Sequence, residues 1–195
     1  MLKDNIGYIR ITTFDQQTVE DFKVALKDLV SQNLEGLIID LRNNPGGLIT
    51  SVTKIADELL GETIITYTQT KEGEREYYYS DKAKLDKPLV LLINEGSASA
   101  SEILSGAVKD TKSGTLVGTK TFGKGIVQRI IPLEDGSGLK LTVSEYFTPN
   151  DINIHGIGIE PDVKIELPEG AQYGPDYIDE DVQLQRALEI INMEQ

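Results

Sequence analysis

The sequence predicts an α/β fold in which strands and helices alternate, with an antiparallel excursion between them. Short runs of branched apolar residues, typical of buried strands, are followed by glycine-bearing turns and then by apolar residues at helical spacing. Two further pairs of strand-like segments are separated by short polar or glycine-bearing stretches, as in hairpins. Alternating strands and helices of this kind favour a sheet packed against helices.

The first part of the chain has the order strand, helix, strand, helix. Residues 7–11 alternate like a half-buried strand, and Thr18 with Asp21 three residues later resembles the N-terminal cap of a helix. Residues 36–41 predict a buried strand, and the turn at 42–47 leads into a second helical pattern. The apolar helix faces are Phe22, Ala25, Leu26, Leu29 and Val30, then Val52, Ile55, Ala56, Leu59 and Leu60.

The remaining elements follow from the same patterns. Segments 63–70 and 76–80 are rich in Thr and Tyr and predict an exposed hairpin. Later strands are predicted at 89–93, 115–117, 126–131, 139–147 and 163–165, with a hairpin turn at 136–138 and a tight connection at 155–162. A polar link then leads to a last helix carrying Val182, Leu184, Ala187, Leu188 and Ile191.

Composition narrows the class of protein. We predict a single domain, 1–195, in which 168–195 form a C-terminal link and helix. A net charge of −13 at pH 7 disfavours nucleic acid and anionic membranes as partners and favours a protein or peptide. Without cysteine, and with His155 alone, thiolate and His-rich metal sites are excluded, and we expect no cofactor. No signal peptide or membrane span is recognised, and we expect the chain to be an excised domain.

Residues 94–103 predict a strand, a turn and a helix that present a serine hydroxyl at a helix start. The strand 89–93 stops at small residues, which allow close approach of a ligand. The free amides of a first helical turn favour a developing negative charge. Ser99 with Glu102 also fits an ordinary capping box, so the local pattern leaves both interpretations open.

A serine nucleophile needs a base. His155 lies in a turn that needs small and polar residues, and we interpret it as a turn residue. Lys124, between two glycines and before an apolar strand, is the alternative. A lysine base requires its pKa to fall from about 10.4 toward about 7, which costs roughly 4 to 5 kcal/mol. Residues 118–124 also match a phosphate-binding loop, but Gly125 replaces its Ser or Thr and a strand follows where a helix is needed.

Four segments in order resemble the carboxyl-terminal processing proteases, also called tail-specific proteases. They are DLRNNPGGL at 40–48, GSASASE at 96–102, TFGKG at 121–125 with Gln128, and GIGIEPD at 156–162. The resemblance spans nearly the whole chain. It implies a serine endopeptidase with a Ser–Lys pair that acts through an acyl-enzyme. It also implies a core similar to the crotonase and Clp protease fold, with repeated strand–strand–helix units and a mixed sheet.

The resemblance assigns Ser99 as the nucleophile, Lys124 as the general base and Gln128 as the residue that orients the lysine. Because Lys124 and Gln128 are four residues apart, an extended strand would place them on one face, where the amide oxygen can accept from the amine.

By the same resemblance, the amide of Ala100 and that of Gly46 or Gly47 form the oxyanion hole, with Gly47 favoured. Asp110 matches an acidic position of some family members and is interpreted as supporting structure.

The family also implies partners and a location. Its substrates are polypeptides with exposed C-terminal tails, and its full-length members carry a PDZ domain, which is missing from this chain. A homo-oligomer is possible for such a protein. The resemblance also implies an extracytoplasmic site of action, in the bacterial envelope or an equivalent compartment. Two rival hypotheses are a non-catalytic ligand- or peptide-binding module on the same fold and a Ser–His hydrolase using His155.

Overall fold

The computed structural model describes residues 1–81 and 84–194. The helices are α1 (Gln16–Ser31), α2 (Ile49–Leu59), α3 (Ala100–Thr111) and α4 (Val182–Glu194). The strands are β1 (Ile6–Arg10), β2 (Gly36–Asp40), β3 (Thr63–Gln69), β4 (Arg75–Ser80), β5 (Leu89–Ile93), β6 (Thr115–Gly118), β7 (Ile126–Pro132), β8 (Gly138–Phe147) and β9 (Val163–Lys164). The predicted domain 1–195 includes residues 82, 83 and 195, which lie outside the described residues, and it stays a prediction.

The parallel sheet has the strand order β1-β2-β5-β6-β9. Every residue of β2 and β5 is buried, as the continuous apolar runs predicted. Residues of these strands that point to one face, such as Ile39 and Leu91, join the core formed with α1, α2 and α3. Those on the other face, such as Ile38 and Val90, pack with α4. The predicted α/β alternation is therefore confirmed.

A separate antiparallel sheet has the order β4-β3-β8-β7. It contains the two predicted hairpins, β3 with β4 and β7 with β8. The β7–β8 hairpin projects into solvent, where the side chains of Ile130 and Leu139 are 69% and 47% exposed. The parallel and antiparallel strands thus form two sheets, and β7 lies at the edge of the second.

The start of α1 differs from the prediction. The helix begins at Gln16, and Asp15 is its N-cap, whose carboxylate accepts hydrogen bonds from the amides of Gln17 and Thr18, each at 2.9 Å. Thr18 is the N3 partner in that capping box, and the predicted cap at Thr18 is therefore wrong. Asp and Thr are both favourable N-cap residues, and the sequence pattern at Thr18 and Asp21 predicted the later of the two positions.

Three loops meet at one edge of the parallel sheet. Strands β2, β5 and β6 are neighbours in the sheet, and the loops at 41–48, 94–99 and 119–125 follow their carboxyl ends. Because parallel strands end at the same edge, residues far apart in sequence come together there, at the place where open α/β sheets bind ligands. In the described part of the chain, no helix combines the length and apolar character needed to cross a membrane.

Candidate active site

Ser99 lies in a strained turn at the start of α3. Its φ of 55° and ψ of −113° are those of the first central residue of a type II′ turn, a position that favours glycine. The turn is closed by a hydrogen bond from the Ser101 amide to the Ala98 carbonyl at 3.1 Å. Non-glycine residues in such conformations cost about 1–3 kcal/mol and occur preferentially at functional sites.

The three serines of this segment have different environments. Ser97 and Ser101 are fully buried, and their hydroxyls donate to the carbonyls of Leu41 at 2.8 Å and Asn44 at 3.0 Å. Ser99 is half-buried and lines an open cleft. The outer two serines therefore join loops, and Ser99 is the one of the three whose side chain faces a space that a substrate can enter.

The glycine loop after β2 packs directly on the Ser99 turn. A Cβ on Gly46 would lie 2.7 Å from the Ser99 Cβ and 2.6 Å from the Ala98 carbonyl oxygen, so only glycine fits there. The Gly46 amide donates to Asn44 Oδ1 at 2.8 Å. Among the described residues, the amides of Gly47 and Ala100 have no hydrogen-bond acceptor, and both residues line the cleft.

Glu102 connects the serine turn to the lysine loop. Its carboxylate is fully buried and accepts from the Ser99 amide at 2.9 Å, the Lys124 amide at 2.8 Å, the Gly123 amide at 2.7 Å and the Thr121 hydroxyl at 2.6 Å. The sequence interpretation treated Glu102 as a capping residue alone. The signal that was available was its place in the GSASASE segment, three residues after Ser99.

Tyr146 on β8 is a second residue that the sequence interpretation missed. Its hydroxyl donates to the Ser99 carbonyl at 3.1 Å and also lies against the carbonyl oxygen of Lys124. Burial, and then the nearby Glu102 carboxylate, raise the pKa of the Tyr146 hydroxyl. It therefore remains protonated and available as a donor. No local sequence signal marks Tyr146, because the contact depends on how the tertiary structure places β8 beside the Ser99 turn.

The cleft that contains Ser99 has a volume of about 320 Å³. It is lined by Gly47, Leu48, Ile49, Ser99, Ala100, Ile103, Lys124, Ile126, Val127, Gln128, Lys140 and Tyr146. Ser99, Lys124 and Gln128, assigned from the family resemblance, thus share one cleft with both free amides. Within the described ranges, no hydrogen bond joins the Ser99 hydroxyl, the Lys124 ammonium and the Gln128 side chain.

The reason that Lys124 and Gln128 share the cleft differs from the one expected. Lys124 precedes β7, which begins at Ile126, and a register shift falls between Val127 and Gln128. Simple strand alternation therefore does not relate the two side chains. The extra residue of this irregularity is Val143 on β8, opposite Val127 and Gln128, and such bulges are common next to active sites.

Asp110 and His155 are outside the set that lines this cleft. The Asp110 carboxylate accepts from the Asn150 amide at 2.9 Å, so it ties the end of α3 to a loop. His155 is exposed, and its amide donates to Asn153 Oδ1 at 2.8 Å. Across the described residues no group of three or more His, Cys, Asp or Glu side chains is arranged to hold a metal ion.

Comparison with known proteins agrees with the family resemblance of the sequence. The family model described as peptidase family S41 matches residues 5–165. The chain belongs to this family. Its S41 relatives include a carboxyl-terminal-processing protease of Synechocystis sp., which is 43% identical over 96% of this chain and 44% of its own length. The processing protease CtpB of Bacillus subtilis is 42% identical over 88% of this chain and 36% of its own.

A solved structure has the same fold as this S41 chain. It is a photosystem II D1 C-terminal processing protease, with a TM-score of 0.77, 40% identity, and coverage of 84% of this chain and 44% of that one. The predicted crotonase and Clp protease type of fold is confirmed, as is the resemblance to the carboxyl-terminal processing proteases. The chain spans less than half the length of these relatives.

Proposed function

We propose that this protein is a serine endopeptidase of the carboxyl-terminal processing type. The observation that supports this most is the convergence of Ser99, Lys124 and two free amides in one cleft, from loops that follow three neighbouring strands. The proposed reaction is the hydrolysis of a peptide bond through an acyl-enzyme on Ser99.

In the proposed mechanism, Lys124 acts in its neutral amine form and takes the proton from the Ser99 hydroxyl. The serine oxygen attacks the peptide carbonyl carbon, and the resulting oxyanion accepts hydrogen bonds from the amides of Ala100 and Gly47. Lys124 then gives the proton to the leaving amine, the C–N bond breaks, and an ester to Ser99 remains. Lys124 next takes a proton from water, whose oxygen attacks the ester carbonyl. The bond to Ser99 then breaks, Lys124 returns the proton to the Ser99 oxygen, and the second product leaves as a carboxylic acid.

Gly47 is preferred to Gly46 as the second oxyanion donor, because the Gly46 amide is already bonded to Asn44. Gln128 is proposed to orient the Lys124 amine through its amide oxygen. This requires the side chains of the cleft to move closer than they lie now. Catalytic hydrogen bonds are often longer before the substrate binds, and they shorten in the reacting complex.

The proposed substrate is an unfolded polypeptide with an exposed C-terminal tail. The free edge of β7 borders the cleft at Ile126–Gln128 and offers unpaired backbone groups to an extended peptide. Apolar side chains on the cleft wall, among them Leu48 and Ile103, suit an apolar substrate residue. Backbone pairing would then give tolerance of sequence, and the apolar wall would give selectivity.

The full-length protein is proposed to act outside the cytoplasm, with a PDZ domain that captures substrate tails. The location rests on the names of its relatives, whereas the PDZ domain rests on the family resemblance of the sequence alone. These relatives include processing proteases of bacteria and a chloroplastic processing peptidase of Tetradesmus obliquus, which is 40% identical over 84% of this chain. We also propose that the protein can associate into a homo-oligomer, and analytical ultracentrifugation would measure its oligomeric state.

The proposal is tested by cleavage of an unfolded protein with purified wild-type and variant proteins. Ser99→Ala and Lys124→Ala should each lower kcat at least about 10³-fold. Matched exposed controls, Ser137→Ala and Lys164→Ala, should retain full activity. Mass spectrometry of acid-quenched reactions should find the substrate acyl group on Ser99.

Three outcomes would contradict it. Unchanged cleavage by both active-site variants would remove the Ser–Lys mechanism, and binding of the peptide without any cleavage by the wild type would favour a binding module. If His155→Ala is inactive while Lys124→Ala remains active, the Ser–His hydrolase hypothesis would be favoured. We expect His155→Ala to be fully active, because His155 does not line the cleft.

A further inference from the structure

The C-terminal segment contacts the loop that carries Gly46 and Gly47. Residues 166–194 lie beyond the part of the chain that matches family S41, which ends at residue 165. Three side chains of this segment, Tyr173, Asp181 and Gln183, nevertheless hydrogen-bond residues 42 and 43 of the loop. Because these contacts bridge more than a hundred residues of sequence, they depend on how α4 packs against the sheet.

Arg42 is the first anchor of the loop, and it is 1% exposed. On one side its guanidinium binds Asp181 through two hydrogen bonds of 2.9 Å and Gln183 at 3.0 Å. On the other side it binds both carboxylate oxygens of Asp40, at 2.9 and 2.6 Å. A buried guanidinium requires such partners, since an unpaired buried charge is costly. The position of Arg42 is therefore fixed from both sides.

Asn43 is the second anchor. Its side-chain amide donates to the Tyr173 hydroxyl at 2.6 Å, and its backbone amide donates to Asn94 Oδ1 at 2.8 Å. The Tyr173 ring lies under the Arg42 guanidinium, 4.6 Å from its centre, and its hydroxyl also accepts from Arg10 at 3.1 Å. Tyr173 thus contacts two consecutive residues of the loop at once.

The next residue, Asn44, connects the two anchored residues to the Ser99 turn in the cleft. Its carbonyl accepts from the Ala98 amide and from the Ser101 hydroxyl, both at 3.0 Å, on either side of Ser99. Its side-chain oxygen accepts from the Gly46 amide at 2.8 Å. A displacement at residues 42 and 43 would therefore shift both the Ser99 turn and the loop that aims the Gly47 amide.

We propose that Tyr173 and Arg42 are positioning residues, through which the docked segment 173–183 holds loop 42–47 in the conformation that peptide cleavage needs. This rests on the proposed function. Peptide cleavage would then depend on a part of the chain outside the matched family region, although no residue of that part lines the cleft. Because oxyanion donors act through placement, a small shift of Gly47 should lower kcat more than it raises KM.

The test is the variant Tyr173→Phe, which removes the hydroxyl and keeps the ring over Arg42. We expect kcat to fall roughly fivefold through the displaced loop, with KM nearly unchanged and Tm lowered by only a few degrees, the cost of one hydrogen bond. The matched control is Tyr177→Phe, because Tyr177 is 40% exposed and its hydroxyl has no partner in the described part of the chain. Arg42→Lys, which keeps the charge but loses the forked donors, should lower kcat further.

A second readout does not depend on activity. In a Ser99→Ala background, hydrogen exchange measured on peptides covering 41–48 should become faster in Tyr173→Phe and stay unchanged in Tyr177→Phe. If Tyr173→Phe has the same kcat and the same hydrogen-exchange rates as the wild type, the proposal is overturned. If the wild type cleaves nothing but exchange still increases, the proposed function fails while the positioning role stands.

Discussion

The buried carboxylate of Glu102 accepts a hydrogen bond from the Lys124 amide at 2.8 Å. The same carboxylate accepts from the Ser99 amide at 2.9 Å. The backbone segments that carry the proposed nucleophile and base are therefore joined through one side chain, although the two residues are distant in sequence. Their spacing is set by this shared acceptor rather than by contact between their own side chains.

Glu102→Gln should destabilise the protein by about 3 kcal/mol and lower kcat. Each carboxylate oxygen accepts from two donors, and the carboxamide replaces one oxygen with an NH₂ group, which leaves up to two buried donors unsatisfied. Urea unfolding and peptide cleavage measure the two effects. The control Glu189→Gln, at an exposed residue of α4 that pairs with Arg186, should stay within about 0.5 kcal/mol of wild type. A change below 1 kcal/mol in Glu102→Gln would contradict the organising role of the carboxylate.

Tyr146→Phe should lower kcat about tenfold, because it removes the hydroxyl that contacts the carbonyls of Ser99 and Lys124. Since burial raises its pKa, this tyrosine is protonated in the folded protein at every ordinary pH. Its hydrogen bond is thus fully present below the unfolded pKa of about 10 and is lost only as pH rises through the higher folded value.

The ratio of wild-type to Tyr146→Phe activity should therefore be constant between about pH 6 and 9. Kinetics across this range measure it. Tyr79→Phe, at a residue that is 64% exposed, serves as the control and should match wild type. A ratio that falls steadily toward pH 9 would show that the Tyr146 hydroxyl titrates there and would contradict the assignment.

Ser99→Gly should be more stable than Ser99→Ala by about 1 kcal/mol, because glycine relieves the φ of 55° that alanine retains. Both variants should be inactive. Thermal and urea unfolding of the two proteins give the difference. At Ser137, whose φ is not positive, the order should reverse, with Ser137→Ala more stable than Ser137→Gly. Equal stabilities at Ser99 would mean that the turn is not strained.

Gly46→Ala should abolish cleavage, since its Cβ would meet the Ser99 Cβ at 2.7 Å and the Ala100 amide nitrogen at 2.8 Å. The free energy of unfolding should fall by more than about 2 kcal/mol, from strain at a φ of +103° together with the clash. The control Gly136→Ala has a φ of +83° and open space around the new Cβ. It isolates the backbone strain and should leave cleavage intact. An active Gly46→Ala protein would contradict the close packing of the two loops.

Much of the site could be predicted because its signals are local. The glycines at 46 and 47, Ser99 and Lys124 stand in ordered motifs, and their flanking strands have continuous apolar patterns. Their shared cleft agrees with the assignments, which remain to be tested. The start of α1 was misplaced because Asp15 and Thr18 are both suitable caps, and only the backbone geometry distinguishes them.

The sequence by itself determined the types of the elements and the family, since periodicity, turn residues and motif order are properties of neighbouring residues. Only the tertiary structure decided that Glu102 joins two loops, that Tyr146 lies across the Ser99 turn, and that Tyr173 contacts Asn43. These contacts depend on the strand order β1-β2-β5-β6-β9 and on the packing of β8 and α4. The hydrogen-bond partners of a buried polar group are set by that packing, which brings together residues from distant parts of the chain.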